Sequence, residues 1–236
     1  MKVLIVVPCY NELENIETLY HEIREKTTYD VIIVNDCSTD GCKELLQSKN
    51  IPFLDLPMNL GIGGAVQTGY IYALRNNYDV AVQVDGDGQH DPSWIEAIVK
   101  PIDLAEADLV IGSRFIDNEG FQSSTLRRVG IQFFKMLIYC LSGKRITDAT
   151  SGFRAINKKT LKLFTSYYAK DFPEPESNML ALRNKLRVVE IPVSMRERQG
   201  GVSSISPLKS IYYMFKVSIG ILISTIKPRI DFDKGD

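Results

Sequence analysis

Apolar residues run without interruption over positions 3–7, the pattern of a strand buried on both faces. The period then changes. Leu13, Ile16, Leu19, Tyr20 and Ile23 fall on one face of a helix drawn over 12–26. The same alternation continues down the first half of the chain. It predicts strands at 31–34, 51–56, 79–85 and 108–111. Helices are predicted at 43–48, at 61–75, and from Pro92, where proline is tolerated in a first turn. Strands and helices alternating at this spacing predict an α/β domain with a mostly parallel central sheet flanked by helices. Ligands of such sheets bind beyond the carboxyl ends of the strands.

The second half is less regular: a helix over 127–141, a loop over 148–154 and strand character over 186–192. No internal repeat or low-complexity linker divides the chain. The reading is therefore a single domain over 1–204 and a C-terminal amphipathic helical segment with a tail over 205–236. In that segment Ile211, Tyr212, Phe215, Ile219, Leu222, Ile223 and Ile226 form one stripe, with Lys209, Lys216 and Lys227 along its border. No acidic residue lies between Gln199 and Arg229. Such a helix suits a membrane interface or a partner protein, and Val217 and Ile221 on its other side leave burial in the core as the alternative.

The 236 residues carry 28 Lys+Arg against 29 Asp+Glu, a formal charge of −1, so a nucleic-acid binder relying on bulk basicity is not expected. No apolar run is long enough to predict a spanning helix. The opening segment lacks the hydrophobic core and cleavage site of a signal peptide. Cys9, Cys37, Cys42 and Cys140 have neither CxxC spacing nor a zinc partnership with His21 and His90. The expectation is a cytoplasmic chain with reduced thiols, peripherally associated with the inner face of the membrane.

Chemistry concentrates after the strands. Asp85-Gly86-Asp87-Gly88-Gln89-His90-Asp91-Pro92 places two carboxylates at i and i+2, which an extended backbone points to one side. Two hard oxygen ligands can hold Mg²⁺ or Mn²⁺ and leave coordination positions for a diphosphate. A calcium loop is rejected, because His90 stands where such a loop needs glycine. Pro8-Cys9-Tyr10-Asn11-Glu12 follows the first strand, Asn35-Asp36-Cys37-Ser38-Thr39-Asp40-Gly41 the second, and Asn59-Leu60-Gly61-Ile62-Gly63-Gly64-Ala65 the third. Together they outline a rim suited to a nucleotide. The glycines are not a dinucleotide fingerprint, since Val66 occupies the third glycine position.

This set of motifs resembles a family 2 glycosyltransferase with the GT-A, Rossmann-like nucleotide-sugar-binding fold. The resemblance implies that Pro8, Tyr10, Glu12, Asp36, Gly64 and Asp85 cradle the nucleotide, and that Asp85, Asp87 and Gln89 ligate the metal. The second turn departs from the usual Asp-Asp by carrying Asn35. Gly112-Ser113-Arg114-Phe115, the 148–154 segment and the 195–204 segment resemble the branch that holds dolichyl-phosphate mannose synthases and polyprenyl-phosphate sugar transferases. That likeness implies an acceptor-phosphate role for Arg114 and Arg128, with Asp87 and Arg114 central to catalysis. It implies a donor-diphosphate role for Arg196, Arg198 and Ser203.

The expected reaction moves a sugar from a nucleotide-sugar to a polyprenyl phosphate with inversion, at a membrane surface or beside a small integral membrane partner, for cell-surface glycan synthesis. A phosphate monoester is already largely anionic at neutral pH and needs no general base. Glu174 and Glu176 keep an alternative open, a glycosidic bond to a sugar hydroxyl with one of them as base. A second alternative is a non-catalytic nucleotide-binding subunit of a membrane complex, for which Asp85, Asp87 and Gln89 together would have no chemical purpose.

Overall fold

The computed structural model describes residues 1–117, 125–197, 207–230 and 232, with side chains from 128 and from 214 onward in the two helices that begin at 125 and 207. Seven strands form one sheet: β1 (Val3–Cys9), β2 (Asp30–Asn35), β3 (Phe53–Asp55), β4 (Val80–Gln83), β5 (Leu109–Ser113), β6 (Arg154–Asn157) and β7 (Val188–Pro192). Their order is β3-β2-β1-β4-β6-β5-β7. Only β6 runs against its neighbours, so the sheet is mostly parallel, as expected. The helices are α1 (Ile16–Lys26), α2 (Cys42–Ser48), α3 (Gly61–Arg75), α4 (Ile95–Asp103), α5 (Thr125–Ser142), α6 (Lys158–Ser166), α7 (Pro173–Arg183) and α8 (Pro207–Ile226).

Side-chain alternation along β1 explains the layering. Val3, Ile5 and Val7 join the core under α1, α2 and α4, whereas Leu4 and Val6 join the core under α3, α5, α6, α7 and α8. Val217 and Ile221 of α8 belong to that second core, so the C-terminal helix packs into the domain. The expected boundary at 204/205 lies outside the described residues.

Three elements were not expected. β6 is a four-residue strand that opens on a charged side chain and escapes a periodicity reading. α6 follows it directly, capped by the side chain of Asn157, which accepts the N–H of Thr160. α7 begins Pro173-Glu174-Pro175-Glu176, which reads as a proline-spaced loop. Prolines in the first turn cost no hydrogen bond, because those N–H groups are unpaired anyway.

Candidate active site

The parallel strands β1 to β4 all end at one edge, and the strand order reverses between β1 and β4, the usual place for a ligand crevice. At this edge the loops are stitched together. Asn11 accepts the N–H of Thr39 at 2.8 Å, Leu13 donates its N–H to Asp40 at 2.9 Å, and Asn11 donates to the Ser38 hydroxyl oxygen at 3.1 Å. Tyr10 stands half exposed on this rim, while Pro8 is buried beneath it. A side chain at Gly86 would collide with the Pro8 carbonyl oxygen at 2.7 Å, so glycine allows the acidic loop to lie against the end of β1.

Asp85 is the most elaborately held member. Its Oδ1 accepts from Gln83 Nε2 at 2.9 Å, and its backbone N–H donates to His90 Nδ1 at 3.0 Å. That bond makes Nδ1 the acceptor, so the ring proton sits on Nε2, 3.7 Å from Asp85 Oδ2. Phe153 stacks on the imidazole at a centroid distance of 4.9 Å. Asp87 Oδ1 accepts the Gln89 N–H at 3.1 Å, and Gln89 Nε2 points to the Arg196 carbonyl oxygen at 3.5 Å. Among the described residues no three His, Cys, Asp or Glu side chains gather closely enough to hold a metal alone. Two carboxylates and a carboxamide oxygen nonetheless fit Mg²⁺ or Mn²⁺, which retains positions for water and phosphate oxygens.

Other expected residues take less direct positions. Asp36 is buried, and its carboxylate accepts the N–H groups of Leu60 at 2.7 Å and Gly61 at 2.9 Å. It is therefore occupied in holding the start of α3 rather than free at the rim. Asn35, the departure in this turn, donates to Asp55 at 2.7 Å, and Asp55 is paired in turn with Lys43 at 2.6 Å. Gly64 is buried beneath its own Leu60, and Gly63 lies against the backbone of Ala169 and Lys170. The glycine cluster thus serves close packing of α3. Glu12 accepts from Asn15 at 2.9 Å.

The arginines also find protein partners. Arg114 makes a two-pronged pair with Asp148, Nε at 2.6 Å and Nη2 at 2.8 Å, and Nη2 also reaches the Thr150 hydroxyl. Arg128 is exposed near the start of α5. Arg196 pairs with Glu22 at 2.6 Å and Asp91 at 3.1 Å. With Glu14, Asn15, Thr18, Leu19, Glu22, Asp87 and Gly88 it lines a small cleft beside the acid loop. Arg198 and Ser203 lie outside the described residues.

The two glutamates of α7 separate. Glu176 accepts from Lys227 Nζ at 2.8 Å and Ser224 Oγ at 3.2 Å, so it anchors α8. Glu174 lies within electrostatic reach of Arg154, Asp85 and Arg114. Burial pushes its carboxyl up to about 7, Arg154 pulls it back, and the charge of Asp85 pushes it further up. An acid with a raised native pKa contributes stability fully below its unfolded value of 4.5, and that contribution fades as pH rises to about 7. Metal-free protein should therefore lose stability across this window, and Glu174→Gln should flatten the slope. Urea midpoints measured against pH check it; an unchanged slope in the variant would remove Glu174 as its source. Sequence reasoning also missed Gln83 and Arg154, although a polar residue inside an apolar strand two positions before Asp85 was a visible signal.

An acid pair held at a switch point, with a polar rim and arginines around it, is an arrangement suited to a phosphorylated ligand. The chain belongs to glycosyl transferase family 2, whose model matches residues 4–164, and the protein is a glycosyltransferase. It is 29% identical over 87% of its length to undecaprenyl-phosphate mannosyltransferase of Micrococcus luteus, covering 88% of that protein. It is 28% identical over 92% of its length to polyprenol monophosphomannose synthase of Mycolicibacterium smegmatis, covering 86% of that one. The fold matches glucosyl-3-phosphoglycerate synthase from Mycobacterium tuberculosis, solved with Mn²⁺, UDP and phosphoglyceric acid. The TM-score is 0.73 at 16% identity, over 96% of this chain and 79% of that one.

Proposed function

We propose that the protein transfers a sugar from a nucleotide-sugar to a polyprenyl phosphate, with inversion, at the inner face of a membrane. Residues 1–204 are read as the catalytic part and 205–236 as a docking segment. The names of the similar transferases support a lipid-phosphate acceptor. The observation that carries it is an apolar surface on two adjoining helices. α5 exposes Val129, Phe133, Met136 and Tyr139, and α8, packed against it, exposes Phe215, Ile219, Leu222, Ile223 and Ile226. Met136 and Phe215 are each 68% exposed, on helices whose opposite faces are already buried in the core. Among the described residues no helix is long and apolar enough to cross a membrane.

The electrostatics fit an anionic bilayer. Neither 125–147 nor 207–230 contains an acid, and Arg128, Lys144, Arg145 and Arg229 are exposed. Two lysines expected to reach headgroups are engaged elsewhere, Lys216 with Asp171 and Lys227 with Glu176. A second copy bound face to face would set this cationic rim against itself. Each half-exposed side chain carries about 1 kcal/mol of transfer free energy. Replacing Phe133, Met136, Phe215 and Leu222 by Ser should weaken binding to anionic liposomes about a hundredfold or more. Unchanged binding with a collapsed melting temperature would make the face structural.

The chemistry follows from the acceptor. With its second pKa near ~6, a phosphate monoester at neutral pH already carries the nucleophilic oxygen, so the protein must position it and stabilise the leaving diphosphate. Asp85, Asp87 and Gln89 would hold Mg²⁺ or Mn²⁺, which neutralises charge developing on the diphosphate. Arg196 stands beside this loop, and Arg114 is oriented by Asp148 for the acceptor phosphate. The decisive experiment gives purified protein a panel of UDP-, GDP- and dTDP-sugars with polyprenyl phosphate, with and without Mg²⁺ or Mn²⁺, and detects the lipid by mass. A divalent-dependent polyprenyl-phosphate sugar is expected; no lipid product from any donor counts against the proposal.

The raised pKa of Glu174 favours one competing reading, transfer to a sugar hydroxyl with Glu174 as base. Under that reading Glu174→Gln loses activity at least ~100-fold at every pH. With a phosphate acceptor the variant keeps most of its turnover.

A further inference from the structure

The largest side chain wholly shut away from solvent belongs to Arg154, at the start of β6. It donates through Nη1 to Ser177 Oγ at 2.8 Å and through Nη2 to the Ser151 carbonyl oxygen at 2.6 Å, while the buried Nε has no partner. No carboxylate among the described residues pairs with it directly. A permanent charge so placed is costly unless opposing charge lies near.

Arg154 stands directly opposite Gln83 in the antiparallel β4–β6 pair. Just beyond the paired residues Gly152 packs against this corner, where a Cβ would lie only 2.7 Å from Asp85 Oδ2 and 2.9 Å from Gln83 Nε2. Arg154 therefore faces Gln83, whose amide holds Asp85 Oδ1, and lies two residues from Gly152, which packs against the Asp85 carboxylate. On the other side, the Ser177 hydroxyl that accepts from Arg154 donates to the Glu174 carbonyl oxygen at 2.9 Å, tying the first turn of α7 to the same guanidinium.

We propose that Arg154 is the internal counter-charge of the site's acids. It is a positioning residue that holds Asp85 and Glu174 together while the site is empty and weakens the affinity of the bare protein for a divalent cation. The inference rests on the reading of Asp85 and Asp87 as cation ligands. Its consequence is that the cation is held well only jointly with an anionic diphosphate, whose charge offsets the arginine.

The sign of one measurement separates this role from a structural one. Mn²⁺ alone is titrated into wild type, Arg154→Met, Arg154→Gln and Arg154→Lys, with free Mn²⁺ read by electron paramagnetic resonance and folding by thermal melts. The two neutral variants should bind Mn²⁺ roughly three- to tenfold more tightly, and Arg154→Lys should match wild type. The Gln variant keeps hydrogen-bonding capacity toward Ser177 and Ser151, so it serves if the Met variant fails to fold. A folded neutral variant that binds Mn²⁺ equally or more weakly overturns the proposal, as does a Lys variant that behaves like Met. Asp87→Ala is the control and should lose Mn²⁺ binding. If it retains full binding, the ion sits elsewhere and both the site and the counter-charge are refuted. If it loses binding while the neutral variants do not change, the counter-charge alone falls.

Discussion

Purified Asp87→Ala protein is expected to melt within about 2 °C of wild type and to lose sugar transfer by three orders of magnitude or more, about 4 kcal/mol of transition-state stabilisation. Asp87 lies on a half-exposed loop after β4, next to Gly88, whose positive φ turns the chain there. Its removal deletes the carboxylate proposed to hold the cation, without opening the core. Asp85→Ala is the poorer probe, because it also strands Gln83 and strips His90 of its carboxylate neighbour. Steady-state rates with saturating Mg²⁺ or Mn²⁺, beside a thermal melt, decide the matter. An Asp87→Ala rate within tenfold of wild type would exclude this carboxylate from the chemistry.

Asp148→Ala should instead be felt in the fold. Asp148 is completely buried, and Arg114, whose side chain is only 14% exposed, depends on it for two charge-assisted bonds. Asp148 is itself held by Glu190, which accepts its N–H at 2.8 Å and that of Thr147 at 2.6 Å. Deleting one partner of a buried pair leaves the other charge uncompensated, at a cost of about 3–5 kcal/mol. For a chain of this size the melting temperature should fall on the order of 10 °C. Replacing both partners, Arg114→Met with Asp148→Leu, should recover much of the stability and none of the activity. If Asp148→Ala unfolds within 1 kcal/mol of wild type, about the scale of an exposed pair, the pair contributes no more than one.

Much of the first half was legible because its signals are local. A strand buried on both faces must be apolar throughout, and the helices between strands must carry one apolar face, so β1, β2, β4, β5, α1 and α3 announce themselves. The Asp85–Asp87 pair was readable for a similar reason, since it follows immediately on a buried strand. α7 was hidden by its prolines and β6 by its brevity.

By itself the sequence determined the alternating α/β order, the strand-end location of the polar motifs and the resemblance that carried the family. Tertiary structure alone decided which charges meet. Arg114 finds Asp148, Arg196 finds Glu22, and Glu176 turns to Lys227 while Glu174 feels the charges of Arg154 and Asp85. It also decided that α5 and α8 each keep an exposed apolar face after burying another. Periodicity records that a side chain is apolar or charged within one turn or one strand. The partner of that side chain lies tens of residues away, and only the packing of the sheet and its helices selects it.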